Sequence, residues 1–406
     1  MSAAERAIGH DARDSDCDLV VVGGGIHGVG VAQAGAAAGL RVLLLEQTGF
    51  AAATSSRSSK LIHGGLRYLE TGQFHLVRES LHERSTLLRL APELVRLRRF
   101  YIPIYRRTRR RPWQLRLGLS LYALLAAGKA GARFGTVPRR EWDQLDGLDT
   151  SGLQRVFYYH DAQTDDRALT LAVAHSAQQL GAQLLCPARF IGAALLDRGV
   201  EFRFIAGARE RRGHARVLIN AAGAWADELA RAITPSIPVP SVERVQGSHI
   251  VLPVAFERGV YYVESPRDGR AVFLIPWHGQ LLVGTTETRS HADPAAVAPT
   301  AAELHYLLGV AKHYFPRLRP LGADDLLTSF AGLRVLPGGS GHAFHRSRET
   351  LLIQDRALWP RVLSIYGGKL TTWRAVAERA LQLMSASLPP TERIARTDQL
   401  RLTPVA

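Results

Sequence analysis

Residues 18–46 read DLVVVGGGIHGVGVAQAGAAAGLRVLLLE. An apolar run of strand length enters Gly23-Gly24-Gly25, a helix of small residues follows, Gly39 can end it, and Arg41 to Leu45 reads as a second buried strand closing on Glu46. This is a βαβ unit of Rossmann type. Gly23, Gly25 and Gly28 satisfy G-x-G-x-x-G: the first permits the tight turn, the second lets backbone approach a pyrophosphate, and the third allows close helix–strand packing. The helix N-terminus then turns its free N–H groups and positive dipole end to the diphosphate, with Ile26 expected against the cofactor, and Glu46 can accept hydrogen bonds from a ribose.

The residues that follow separate flavin from nicotinamide. A nicotinamide enzyme would go on winding its parallel sheet, whereas AAATSSRSSK (51–60) is a small, hydroxyl-rich loop suited to wrapping phosphates and an isoalloxazine ring. FAD is therefore expected, with Thr54, Ser55, Ser56, Ser59, Lys60 and Leu61 against it. Late in the chain, RVLSIYGGKLTTWRAVAERAL (361–381) reads as strand, diglycine and helix, which brings Gly368, Lys369, Leu370 and Thr371 to the pyrimidine edge of the flavin. It is not a P-loop, because Leu370 stands where a Ser or Thr is required. ARVLINAAGAWADELARA (215–232) reads as a strand returning to the cofactor unit, with Gly223 beside the cofactor.

HIVLP, GVYYVES, AVFLIPW and QLLVGTTE have strand lengths, and WHGQ is a turn between two of them. The expected fold is α/β: a discontinuous Rossmann-type FAD domain (18–95, 150–235 and 330–390) and an α+β substrate domain (96–149 and 236–329) floored by an antiparallel sheet.

The 406 residues are 46% hydrophobic and 21% charged, a globular composition that excludes a disordered or repeat protein. The first 17 residues are mixed in charge and lack an apolar core, so they read as a loose tail and not a secretory signal. Two cysteines, Cys17 and Cys186, cannot form a disulfide framework and have no metal-type spacing, which fits a cytoplasmic compartment and no metal. The net charge of +15 is local: between Glu93 and Glu141 no acidic residue interrupts thirteen positive ones. Within that stretch LRLGLSLYALLAAG (115–128) is apolar but short of the ~20 residues a bilayer requires. With RRTRRR and Trp113 beside it, the segment suits an anionic membrane surface, a core helix next to a solvated arginine loop, or, third, an RNA-binding patch; nucleic acid is the least favoured partner.

TSSRSSKLIHGGLRYLETGQF (54–74), QGSHIV (246–251), IPW (275–277), GTTE (284–287), AGLRVL (331–336) and YGGKLTTWR (366–374) occur in order. With these motifs the chain resembles the FAD-dependent, quinone-linked glycerol-3-phosphate dehydrogenases of the D-amino-acid-oxidase-like superfamily. The resemblance implies oxidation of sn-glycerol 3-phosphate to dihydroxyacetone phosphate, with electrons passed to membrane quinone or, in an oxidase branch, to oxygen. It implies that Arg334 is a phosphate-clamp arginine and that Lys369 lies near flavin and phosphate. Arg67 carries a planar fork suited to the same phosphate. His249 and His63 are the candidate bases, His249 preferred, since a neutral imidazole can take the hydroxyl proton; Tyr68 is expected to position substrate.

Three departures stand out. Gln246 replaces the family's lysine, Glu287 replaces the aspartate of GTTD, and Asp165-Asp166-Arg167-Ala168-Leu169 shifts an arginine. The family's C-terminal helical region is expected to be absent. A flavoenzyme acting on another small hydroxy acid or amine is the alternative reading, a homodimer is left open, and the expected place is the cytoplasm or the inner face of the plasma membrane.

Overall fold

The computed structural model describes residues 16–405 apart from 127, 130 and 339–348; most of the tail read at residues 1–17 thus lies outside the described residues. Cys17–Val22 lies parallel between Val42–Leu45 and the second half of Arg209–Asn220, and the parallel set extends to Gln183–Leu185 on one side and Val362–Tyr366 on the other. Both faces of these strands are covered, which is why they are almost uninterrupted Val and Leu. Leu19, Val21, Val42 and Leu44 join a core with helices Ile26–Ala37, Asp166–Gln179 and Trp373–Met384. The alternate residues Val20, Val22, Leu43 and Leu45 pack with Phe202 and Phe204 of an antiparallel meander, Ala188–Leu195, Val200–Ala206 and the first half of Arg209–Asn220.

The second sheet is mostly antiparallel. Val242–Leu252 pairs with Gln280–Gly284 and, over ten residues, with Thr328–Pro337; the sheet continues through Ala271–Trp277, Val260–Glu264, Val95–Tyr105 and Leu153–Thr164 to Leu61–Ile62. The WHGQ turn is a two-residue hairpin, with His278 and Gly279 both at positive φ.

Sheet membership cuts across the expected division of the chain. Leu61–Ile62, Leu153–Thr164 and, from Phe330 on, Thr328–Pro337 fall in the stretches expected for the cofactor unit but are strands of the second sheet. Their antiparallel partners are distant in sequence, so strand pattern alone assigns them to neither sheet.

The arginine-rich segment is likewise divided. Val95–Tyr105 is an inner strand paired with Leu153–Thr164, and Pro112–Leu125 is a helix that buries Leu115, Leu119 and Tyr122 while Trp113, Leu117 and Leu124 face outward, each about two-thirds exposed. Arg110 turns inward, 2.6 Å from Glu70 and 2.5 Å from Glu264. No helix among the described residues is long and apolar enough to cross a membrane.

Candidate active site

One cavity runs between the sheets, from the opening of helix Ile26–Ala37 to the inner face of the second sheet. Its walls include Gly25, Ile26, Thr54, Ser55, Ser59, Leu61, His63, Arg67, Tyr68, Gly223, His249, Arg334, Gly368, Lys369, Leu370 and Thr371. Six segments drawn from between residues 25 and 371 thus meet at one place.

At the helix end, backbone does the building. A Cβ on Gly28 would drive into the carbonyl oxygen of Gly23, so the turn closes only with glycine there. Gly23, at φ +114°, and Gly28 shape this turn from behind. Glu46 ends the second strand beside it: Oε2 accepts from the Gly24 N–H at 2.6 Å and Oε1 from the Thr48 N–H at 2.8 Å. Ser55 Oγ accepts from the Ile26 N–H at 2.9 Å, and Thr54 Oγ1 donates to the Leu333 carbonyl at 2.8 Å, tying the hydroxyl-rich loop to helix and second sheet.

Ser56 and Lys60 sit elsewhere than the sequence reading puts them. The Ser56 hydroxyl donates to its own loop at the Ala53 carbonyl. The Lys60 ammonium is buried, 2.5 Å from Asp166 and 2.6 Å from the Ser56 carbonyl, and lies about equally far from the Trp277 and Phe330 rings. Asp166 also accepts from the Ser58 N–H, while Asp165 caps the following helix through the Ala168 N–H. Asp166 therefore clamps the loop, and a buried cation so held is costly to unpair.

At the other end, side chains set the chemistry. Arg334 NH1 lies 3.0 Å from Glu287 Oε1, and its NH2 donates to Thr285 Oγ1 and the Thr286 carbonyl. Arg67 NH2 approaches the same carboxylate oxygen at 3.9 Å. The Lys369 ammonium sits 4.0 Å from the centre of the Tyr68 ring, a cation–π contact that holds it at the wall. His63 is fixed through its backbone, whose N–H donates to Thr371 Oγ1 at 3.1 Å.

His249 is buried and stacked on Phe330 at 4.9 Å. Its ring rests on Gly284, where any Cβ would strike it. Nε2 is 2.9 Å from Ser59 Oγ, and Nδ1 has no hydrogen-bond partner among the described residues. Burial first, then the charges of Arg334 and Lys60, push its pKa down to about 3, which holds it neutral.

Several lining residues had no announcing signal. Arg57 and Arg270 are two arginines among many, and Glu287 registers in the sequence only as a departure from a motif. His27, in the first turn of the glycine-motif helix, lines the cavity with a buried Nε2 lacking a partner among the described residues, and burial pushes its pKa down to about 4. Asp161 is held behind Gly64-Gly65 by Arg84 at 2.5 Å and Tyr122 at 2.9 Å, the Tyr122 oxygen also accepting from the Gly64 N–H. Among the described residues no cluster could hold a metal ion.

A glycine-lined helix start, a second-strand acid and an elongated cavity between two sheets define a dinucleotide flavoenzyme, and a family model described as FAD dependent oxidoreductase matches residues 18–377. The chain is 37% identical over 383 residues to the aerobic glycerol-3-phosphate dehydrogenase of Escherichia coli (strain K12), covering 91% of this chain and 73% of that one. It is 36% identical over 385 residues to the D-erythritol 1-phosphate dehydrogenase of Brucella abortus (strain 2308), covering 93% and 75%. The structure of the glycerol-3-phosphate dehydrogenase from Bacillus halodurans complexed with FAD is similar with a TM-score of 0.73 at 27% identity, covering 98% of this chain and 69% of that one. The chain belongs to the FAD-dependent glycerol-3-phosphate dehydrogenase family. It is an FAD-dependent oxidoreductase, and the residues fit the cofactor: the cradle at Gly25 admits backbone-close phosphates, and the buried Nε2 of His27 has hydrogen-bonding capacity to spare.

Proposed function

We propose that this protein oxidises sn-glycerol 3-phosphate to dihydroxyacetone phosphate and delivers the electrons to membrane quinone. The observation that best supports this is that Arg67 and Arg334 converge on Glu287 in the wall of a cavity that also takes in Lys369 and the Gly25–Ile26 helix start. Gly25, Ile26, Thr54, Ser55, Gly223 and Thr371 would hold the dinucleotide; FAD, when bound, supplies the hydride acceptor at N5 and the route onward for electrons. Arg67 and Arg334 take the phosphate in charge-assisted hydrogen bonds. Tyr68 and His63 set the glyceryl chain across the cavity.

His249 receives the hydroxyl proton. When the Ser59 oxygen accepts from Nε2–H, Nδ1 carries the lone pair that serves as base. Phosphate on Arg334 offsets one of the charges that depress His249, so substrate binding strengthens the base it needs.

Anaerobic addition of glycerol 3-phosphate to the purified yellow protein should bleach the flavin, with glycerol far slower. No bleaching by glycerol 3-phosphate rejects the reading. D-Erythritol 1-phosphate is the competitor to run beside it, given the Brucella relative, and faster bleaching by the longer polyol would reassign the substrate.

A further inference from the structure

Five cationic side chains line the cavity among the described residues, Arg57, Arg67, Arg270, Arg334 and Lys369, against two carboxylates, Asp161 and Glu287. Asp161 is committed to Arg84 and Tyr122. Among the described residues Glu287 is the carboxylate at the clamp: the guanidiniums of Arg334 and Arg67 converge on its Oε1, at 3.0 and 3.9 Å. Its side chain is 7% exposed, against 20% for Arg67 and 23% for Arg334. The carboxylate is thus more deeply buried than the arginines it holds, and their accessible surface remains for a ligand.

Glu287 is itself held. Its carbonyl accepts from Arg270 NH1 at 2.9 Å. The preceding Thr286 hydroxyl donates to Glu303 at 2.7 Å and accepts from the Ser248 N–H at 2.9 Å, while Gln246 donates to the other Glu303 oxygen at 2.7 Å. Gln246 and Glu287, two of the departures from the family pattern, are therefore linked through Glu303 and Thr286.

We propose that Glu287 is a positioning residue that sets the strength of the phosphate clamp. It aims both guanidiniums at one point and cancels enough positive charge that a phosphate ester is held briefly and released. A clamp without it would bind substrate, product and inorganic phosphate alike more tightly, which lowers KM without raising kcat and delays product release. The inference rests on the glycerol 3-phosphate reading.

The test compares wild type, Glu287→Gln and Glu287→Asp as FAD-replete proteins, with inorganic phosphate as the probe. Binding is read by perturbation of the flavin absorption spectrum and by competitive inhibition. Glu287→Gln removes one charge near the anion, worth on the order of a hundredfold at an effective dielectric of about 20 and about tenfold once solvent at the partly exposed clamp screens it. The Kd for phosphate and the KM for glycerol 3-phosphate should both fall about tenfold while kcat falls. Glu287→Asp keeps the charge and shortens the reach, so it should bind phosphate no tighter than wild type. A merely structural role would weaken phosphate binding in both variants, and unchanged or weaker binding in Glu287→Gln overturns the inference. A wild type neither reduced by glycerol 3-phosphate nor perturbed by phosphate would remove the functional reading and this inference with it; normal wild-type behaviour with an indifferent Glu287→Gln removes only this one.

Discussion

The two ends of the cavity are built from different materials. Around Gly25 and Ile26 the wall is main chain, held by the Gly24, Ile26 and Thr48 N–H bonds to Glu46 and Ser55. Around Arg334 it is charge: two arginines on one carboxylate, a lysine over a ring and a buried neutral histidine. A backbone wall tolerates no added atom, whereas a charged wall tolerates substitution but changes what it binds. Mutations at the first end should therefore abolish the protein's colour, and those at the second should leave it yellow and alter its kinetics.

Gly28→Ala is the most severe test. The new methyl group meets the Gly23 carbonyl, part of the turn itself, so no side-chain rotation relieves it. The expected result is protein without FAD, measured as the flavin-to-protein absorbance ratio. A fully yellow Gly28→Ala protein would mean that this end is more deformable than the packing allows.

His249→Gln comes next. It should retain FAD but slow anaerobic flavin reduction by about 10²–10⁴, the usual contribution of a positioned base. In the parent enzyme, kcat/KM should show no inflection from His249 near 6.5: with its folded pKa depressed to about 3, it stays neutral as pH falls through the range where a free imidazole would protonate. Full-speed reduction by the variant would move the base to His63.

Arg334→Ala should cost glycerol 3-phosphate on the order of 1.5–3 kcal/mol in kcat/KM, about ten- to hundredfold, and glycerol far less. Equal losses for both would mean that Arg334 orders the Thr285–Glu287 loop without touching phosphate, since it also donates to Thr285 and Thr286.

The same contrast governs what could be read beforehand. The backbone end is encoded in residues 18–46, a contiguous stretch where local spacing dictates turn, helix and strand. The charged end is assembled from segments near 63–68, 249, 285–287, 334 and 369, and no local pattern says that they meet. Arg67, Arg334 and Lys369 were accessible through their motifs. Arg270 and His27 were not, because one more arginine in an arginine-rich chain, or one polar residue in a helix's first turn, carries no signal of direction. Lys60 shows the opposite failure: its motif position suggested a cofactor contact, but the charge that decides its place is Asp166, more than one hundred residues away. Domain boundaries blurred for the same reason, since Leu153–Thr164 and Thr328–Pro337 acquire their sheet from distant partners.

The smallest effect belongs to the surface. Helix Pro112–Leu125 turns Trp113, Leu117 and Leu124 outward on one face, at spacings of four and seven residues, and packs Leu115, Leu119 and Tyr122 inward on the other. Arg107, Arg109 and Arg111, all exposed, precede the helix, and exposed Arg116 lies within it. We propose that it rests on anionic lipid, arginines at the headgroups and the apolar residues dipping below them. Each such arginine is worth about 1 kcal/mol at low salt, so Arg107→Gln, Arg109→Gln and Arg111→Gln should each weaken binding to anionic liposomes several-fold, an effect that fades as salt rises. Arg110 is the internal control, because its guanidinium is committed to Glu70 and Glu264. Arg110→Gln should lower the melting temperature and leave liposome binding close to that of the parent. If Arg110→Gln weakens liposome binding as much as Arg109→Gln does, or if neutral and anionic vesicles bind equally, this face is not an electrostatic anchor; tighter binding to tRNA than to liposomes would assign it to nucleic acid instead.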